Sequence, residues 1–198
     1  AELLADESAE VREAACEALA CLGESADAPA VVSDSLAGAL ADADADVKLA
    51  AVEALAALGP EAAAPHAESI AGVLAEDASG DLQRAALDAL AQIGEGAAGQ
   101  LPAIAERLEH GDWRVREAAC AAMASMGEAA EAHAAEIAGL LEDADGDVRK
   151  TACAPWPSWA RRGRSTRRNL RVASTTATRR SGAQPWARSR SSWARRGR

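Results

Sequence analysis

Tyrosine and phenylalanine are missing from this chain altogether, and its five tryptophans supply all of its aromatic character. So few large rings exclude a single core of the usual globular kind and leave alanine and leucine to do the packing. No run of 18 apolar residues and no secretory leader is present, which excludes a membrane span of the ordinary length and points to a soluble, intracellular and cytoplasmic protein. The four cysteines form no CxxC pair, so a metal knuckle is not indicated. Positive charge is scarce over most of the length: residues 1–153 carry all 31 acids against 8 bases, a balance of −23. Residues 154–198 lack acids and lysine and carry 13 arginines. Such a break in composition divides the chain into a repeat array, 1–153, and an Arg-rich tail, 154–198.

What the first segment does contain is one phrase written repeatedly. VREAACEALACLG (Val11–Gly23) returns as VKLAAVEALAALG (Val47–Gly59), LQRAALDALAQIG (Leu82–Gly94) and VREAACAAMASMG (Val115–Gly127), and begins again at Val148. The anchors lie 36, 35, 33 and 33 residues apart. Apolar residues fall at the anchor and 4, 8 and 11 positions later, one stripe of an α-helix. Ser8, Asp44, Ser79, Asp112 and Asp145 stand three residues before the anchors and suit N-caps. Glycine follows each full copy, where a left-handed residue ends a helix. Between copies a second pattern starts near Pro29, Pro65 and Pro102, prolines that fit a first helical turn. The spacing predicts pairs of helices, about three turns each, that hide their stripes only by stacking on neighbours. Cys16, Cys120 and Cys153 share the position that Val52 and Leu87 hold in other copies, and are read as small core residues.

A period near 34 fits several families. The absence of tyrosine argues against the tetratricopeptide pattern, and the ankyrin TPLH signature is missing. The boundaries DADADVK (Asp42–Lys48), HGDWRVR (His110–Arg116) and DADGDVR (Asp143–Arg149) resemble those of HEAT repeats in their short, phycobilisome-lyase-like form. The resemblance implies an all-α superhelix, a HEAT-like α-solenoid of about four and a half units. It also implies a structural ladder in which an acid before the second helix is linked from unit to unit with a base just inside it: Asp6 and Arg12, Asp42 and Lys48, Asp143 and Arg149. Two rungs depart from the pattern, since unit three has Asp77 with Gln83 and unit four has His110 with Arg116.

Catalytic chemistry is not indicated. His66, His110 and His133 are single residues at helix ends, read as exposed. The HEAT-like deoxyhypusine hydroxylases use His-Glu dipeptides for iron, and none occurs here. No cofactor is expected. The chain reads as a non-catalytic protein-binding scaffold whose second helices present an acidic row, Glu13, Glu17, Glu53, Asp88 and Glu117, suited to a basic protein partner and to neither membrane nor nucleic acid. Trp113, the one aromatic residue before the tail, is either local cover or a contact anchor. The resemblance leaves an alternative, a subunit of a bilin lyase or another enzyme built on HEAT repeats.

The tail reads in two ways. Taken as written, an Arg/Ser-rich, disordered segment would bind nucleic acid. Shifted by one base, however, Trp159–Ala160 decodes as an apolar residue and glycine, with the glycine 12 residues after Val148 as in every earlier copy. Thr176 and Thr178 can become Asp, and Ser181–Gly182 can become Val–Arg at 33 residues from Val148–Arg149. The tail is therefore read as a frame-shifted further repeat.

Overall fold

Alanine, leucine and glutamate favour helix throughout the repeated phrase, and a capping side chain opens most copies. The structure, a computed structural model, describes residues 2–23, 29–75 and 78–153. After a 3₁₀ turn at Glu2–Ala5 come α1 (Ala9–Gly23), α2 (Pro29–Ala39), α3 (Ala45–Ala57), the single turn α4 (Pro60–Ala63) and α5 (Ala67–Ala75). They are followed by α6 (Gly80–Ile93), α7 (Leu101–Arg107), α8 (Trp113–Ser125), α9 (Ala134–Gly139) and α10 (Gly146–Cys153). No strand occurs among the described residues.

The second helices of successive units, α1, α3, α6, α8 and α10, pack side by side in that order as one layer. The first helices α2, α5 and α7 lie against them as the other layer. This is an α-solenoid, in which each unit is stabilised by its neighbours rather than by a centre of its own.

The caps follow the sequence closely. Asp44 and Asp112 accept from the backbone N–H of Asp46 and Arg114 at 2.9 Å, and Ser79 accepts from Leu82 N–H at 3.3 Å. Gly59, Gly94 and Gly127 take positive φ at the ends of α3, α6 and α8. Gly23 does not: it continues α1, and a Cβ there would overlap the Leu58 side chain. Its glycine serves a close approach between neighbouring second helices instead of a cap.

Burial is wider than a stripe. In α8 and its C-cap, Val115, Ala119, Met123 and Met126 are fully buried, but so are Cys120 and Ala122, and Ala118 is nearly so. Second helices in the middle of the array are covered by both neighbours and by the first-helix layer, and alanine lets them sit close. Each large side chain taken fully out of water, such as Leu87 or Leu90, contributes about 1.5–3 kcal/mol. Cys16 and Cys120 are buried, as their repeat position predicts, whereas Cys153, the last residue of α10, is exposed.

The first helices are shorter than three turns in units four and five. There 3₁₀ segments, Gly94–Gln100 and Gly127–His133, replace the opening of the helix, and α7 and α9 are two turns or less. His66 is also less exposed than predicted. Its Nε2 lies 3.2 Å from Ser33 Oγ and 3.3 Å from Asp34 Oδ1, so it ties the third unit to α2. Asp77 and the tail, 154–198, lie outside the described residues.

Candidate functional site

The second-helix layer carries both features singled out in the sequence, the acidic row and the acid–base ladder. Position six after the anchor bears Glu17 on α1, Glu53 on α3 and Asp88 on α6, and Ala121 ends the series on α8. The three residues thus hold the same repeat position on three helices that pack side by side. Glu53 and Asp88 line a shared cavity of about 320 Å³ between α3 and α6, together with Arg84, Gln92 and a floor of alanines including Ala56 and Ala89. Alanine here leaves room that a larger side chain would fill.

Arg84 is the residue that sequence reasoning passed over. Its Nη1 lies 3.0 Å from Asp88 Oδ2, an i,i+4 pair in the cavity wall. Partial burial holds the Asp88 carboxyl above its usual range, with Arg84 acting against that shift. The row is therefore acidic at Glu17 and Glu53 and internally paired at Asp88. The pair was legible from the spacing Arg84–Asp88, but its place on the cavity wall needed the stacking.

Glu13 and Glu117 stand two residues after their anchors, on α1 and α8. Glu117 Oε1 accepts from the Thr151 hydroxyl of α10 at 3.3 Å, so part of its capacity goes to joining units four and five. Trp113 is the first residue of α8, half-buried against the core, with the Arg114 guanidinium 5.4 Å from its ring centroid. The two side chains make a cation–π contact at the start of α8.

The ladder has a common geometry. Arg12 Nη1 donates to the carbonyls of Asp6 and Glu7 at 2.8 and 3.3 Å, while Nε and Nη2 grip Asp42 of the next unit at 2.7 and 2.8 Å. Arg116 repeats the arrangement on the His110 and Gly111 carbonyls and on Asp143, with all four contacts between 2.8 and 3.1 Å. Each aspartate also caps its own loop, through Asp44 N–H and Asp145 N–H. The arginine forks, with help from those backbone donors, hold the Asp42 and Asp143 carboxyls below their usual range. Lys48 occupies the same place on α3, and Arg149 Nη1 reaches the Asp143 and Ala144 carbonyls at 2.7 and 2.9 Å. In unit four His110 does the aspartate's local work, its Nδ1 accepting from Asp112 N–H at 3.1 Å. The substituted residue thus leaves the Arg116 rung intact.

Among the described residues no three His, Cys, Asp or Glu side chains gather in a way that could hold a metal ion. Nor is any described helix long and apolar enough to cross a membrane. His133 Nδ1 lies 2.7 Å from Glu136 Oε2, a pair within one turn.

Comparison with known structures places this layer among repeat solenoids. A designed armadillo repeat protein in complex with the peptide (KR)4 matches at TM-score 0.64 and 23% identity, over 76% of each chain. An engineered protein solved by a structural genomics consortium matches at TM-score 0.64 and 23% identity, over 76% of this chain and 74% of that one. The complex of CpcE and CpcF of phycocyanin lyase from Nostoc sp. PCC7120 matches at TM-score 0.57 and 18% identity, over 76% of this chain and 92% of that one. At such identities these likenesses speak for the fold alone. No curated protein sequence matches the chain. The model of HEAT repeats matches residues 1–73 and 67–154, most of the length. This chain belongs to the HEAT repeat family.

Proposed function

We propose that the chain is a non-catalytic scaffold that binds a basic stretch of a partner protein along the exposed face of its second helices. Repeat solenoids of this fold are typical protein-interaction scaffolds. The observation that carries the finer reading is that Glu53 and Asp88 line one cavity between α3 and α6, with Glu17 at the same repeat position on the neighbouring α1. Stacked helices lie about 8–10 Å apart, and an extended peptide advances about 3.3 Å per residue. The row therefore suits a peptide that presents lysine or arginine at roughly every third position. The armadillo relative bound to (KR)4 supports the choice of ligand, since that peptide is wholly basic.

Titration of a labelled Lys/Arg peptide into the protein tests this. Binding should weaken with salt. The triple substitution Glu17→Lys, Glu53→Lys, Asp88→Lys should loosen it by about tenfold or more. Binding unchanged by the triple substitution would remove the reading.

The division into an array (1–153) and a distinct segment (154–198) is part of the same proposal. We read the second as a repeat displaced from its frame, in preference to a nucleic-acid-binding tail. The coding DNA decides it, because early stops in the alternative frame would overturn the reading.

A further inference from the structure

The cavity between α3 and α6 differs in its lining from the matching places on either side. Its α3 wall has Ala57 ten residues after the anchor, where α1 has Cys21. Its α6 wall has Arg84 two residues after the anchor, where α3 has Leu49. Leu49 packs against the core, so the matching place between α1 and α3 is apolar there. Between α6 and α8, Ala121 replaces the second carboxylate. The α3–α6 cavity therefore joins Glu53 from one helix to Arg84 and Asp88 from the next, over a floor of alanines that includes Ala56 and Ala89.

The polar groups of this cavity are unevenly satisfied. A carboxylate accepts up to about four hydrogen bonds. Asp88 receives one, from Arg84 Nη1 onto Oδ2 at 3.0 Å. Among the described residues, Asp88 Oδ1 and both Glu53 oxygens have no hydrogen-bond or ion partner. Two carboxylates against one guanidinium leave the lining with one net negative charge, which a single entering cation balances. Partial burial already raises the Asp88 carboxyl, so a second cation beside it would stabilise a charge that water solvates incompletely.

We propose that this cavity is a subsite for one arginine side chain of the bound peptide, and that it selects arginine over lysine. The proposal rests on the basic-peptide reading above and names the side chain that the cavity takes. A guanidinium is planar and weakly hydrated, so its face lies on alanine while its edge points N–H groups at Asp88 Oδ1 and the Glu53 carboxylate together. An ammonium is compact and strongly hydrated. Entering between the helices strips water from it and leaves part of the alanine floor uncovered. Glu17, farther along the row, attracts either cation without telling them apart.

Fluorescence anisotropy with the full chain, at about 0.15 M salt, tests the proposal with labelled peptides of equal length. One is all lysine, one has a single central arginine, and one has two arginines. The first arginine should tighten binding by about tenfold. The second should add little, because one cavity takes one side chain. Ala57→Leu, which narrows the cavity from its exposed rim, and Asp88→Asn should each erase the difference between the first two peptides, with helicity by circular dichroism unchanged. If the three peptides bind alike, or affinity climbs equally with each arginine, the subsite is overturned while the basic-peptide reading stands. A difference that survives either variant seats the arginine elsewhere and overturns it too. If no peptide binds, the basic-peptide reading itself falls, and the subsite with it.

Discussion

Arg12 of α1 holds Asp42, the residue that opens the loop into α3, through two parallel hydrogen bonds of 2.7 and 2.8 Å. The same guanidinium braces the turn before its own helix through Nη1. A single side chain therefore fixes both a helix entry and the offset of the next unit, which a lysine, with one compact charge, cannot do. Arg116 and Asp143 repeat the arrangement. Arg116→Lys and Asp143→Asn should each lower the melting temperature by about a few degrees. The double substitution should cost less than the two singles combined, since both break one rung. Full additivity in thermal melts would show that the fork is not the unit of stabilisation.

The same pairs make stability depend on acid. Asp42 and Asp143 have carboxyls held below the usual range, chiefly by their arginines. A depressed folded-state pKa contributes stability above the unfolded value, about 3.9 for aspartate, and that contribution is lost as pH falls through the folded value. Melting temperature should therefore drop as pH falls below about 4. The drop should be shallower in the double variant Asp42→Asn, Asp143→Asn. Equal slopes in the two proteins would assign the acid sensitivity to other carboxylates.

Glycine separates two roles that look alike in the sequence. Gly59 has φ +88° with open space around a would-be Cβ, so Gly59→Ala tests backbone strain alone and should cost about 1–2 kcal/mol. Gly72 lies inside α5, exposed and also without neighbours, so Gly72→Ala should stabilise by about 0.5–1 kcal/mol. Chemical denaturation measures both, and the same sign for the two would contradict the assignment of roles.

The repeat phrase made much of this fold legible before any coordinates. Anchors, caps and three of the four terminal glycines followed from spacing, because each reports a local helical requirement. What spacing concealed was lateral. Ala118 and Ala122 fall outside the stripe of anchor, 4, 8 and 11, yet they are buried because second helices press on both sides of them. Gly23 occupies the place of a cap but answers to Leu58 across the interface. Arg84 escaped notice for a similar reason: its pairing with Asp88 is local, but its role in the cavity wall arises only when α3 stands beside α6.

Cysteine reactivity should follow position in the stack. Cys120 is fully buried, and burial, with Glu117 adding to it, pushes its thiol up to about 12. Cys16 is also buried and shifted upward by burial. Cys21 and Cys153 are exposed. In the native protein a thiol reagent near pH 8 should modify Cys21 and Cys153 within minutes, with Cys16 and Cys120 reacting only on unfolding. Peptide mapping after brief labelling checks this, and early modification of Cys120 would mean that α8 opens readily.

Gln83 is where the ladder changes chemistry. It stands where Arg12 and Arg116 stand, is 4% exposed, and donates through Nε2 to the Ala78 carbonyl at 3.1 Å. Among the described residues its Oε1 has no hydrogen-bond partner, and a buried acceptor left unpaired costs about 1–3 kcal/mol. The next unit has His110 where Asp42 and Asp143 stand, so both members of this rung differ from the others. Restoring the pair as Gln83→Arg with His110→Asp should remove the orphan acceptor and install a fork, raising stability by about 1–2 kcal/mol. Gln83→Arg alone should do worse than the pair, because its charge would enter a nearly closed position with no carboxylate opposite. A double-mutant cycle by urea denaturation gives the coupling. A coupling near zero would show that Gln83 and His110 do not form one rung.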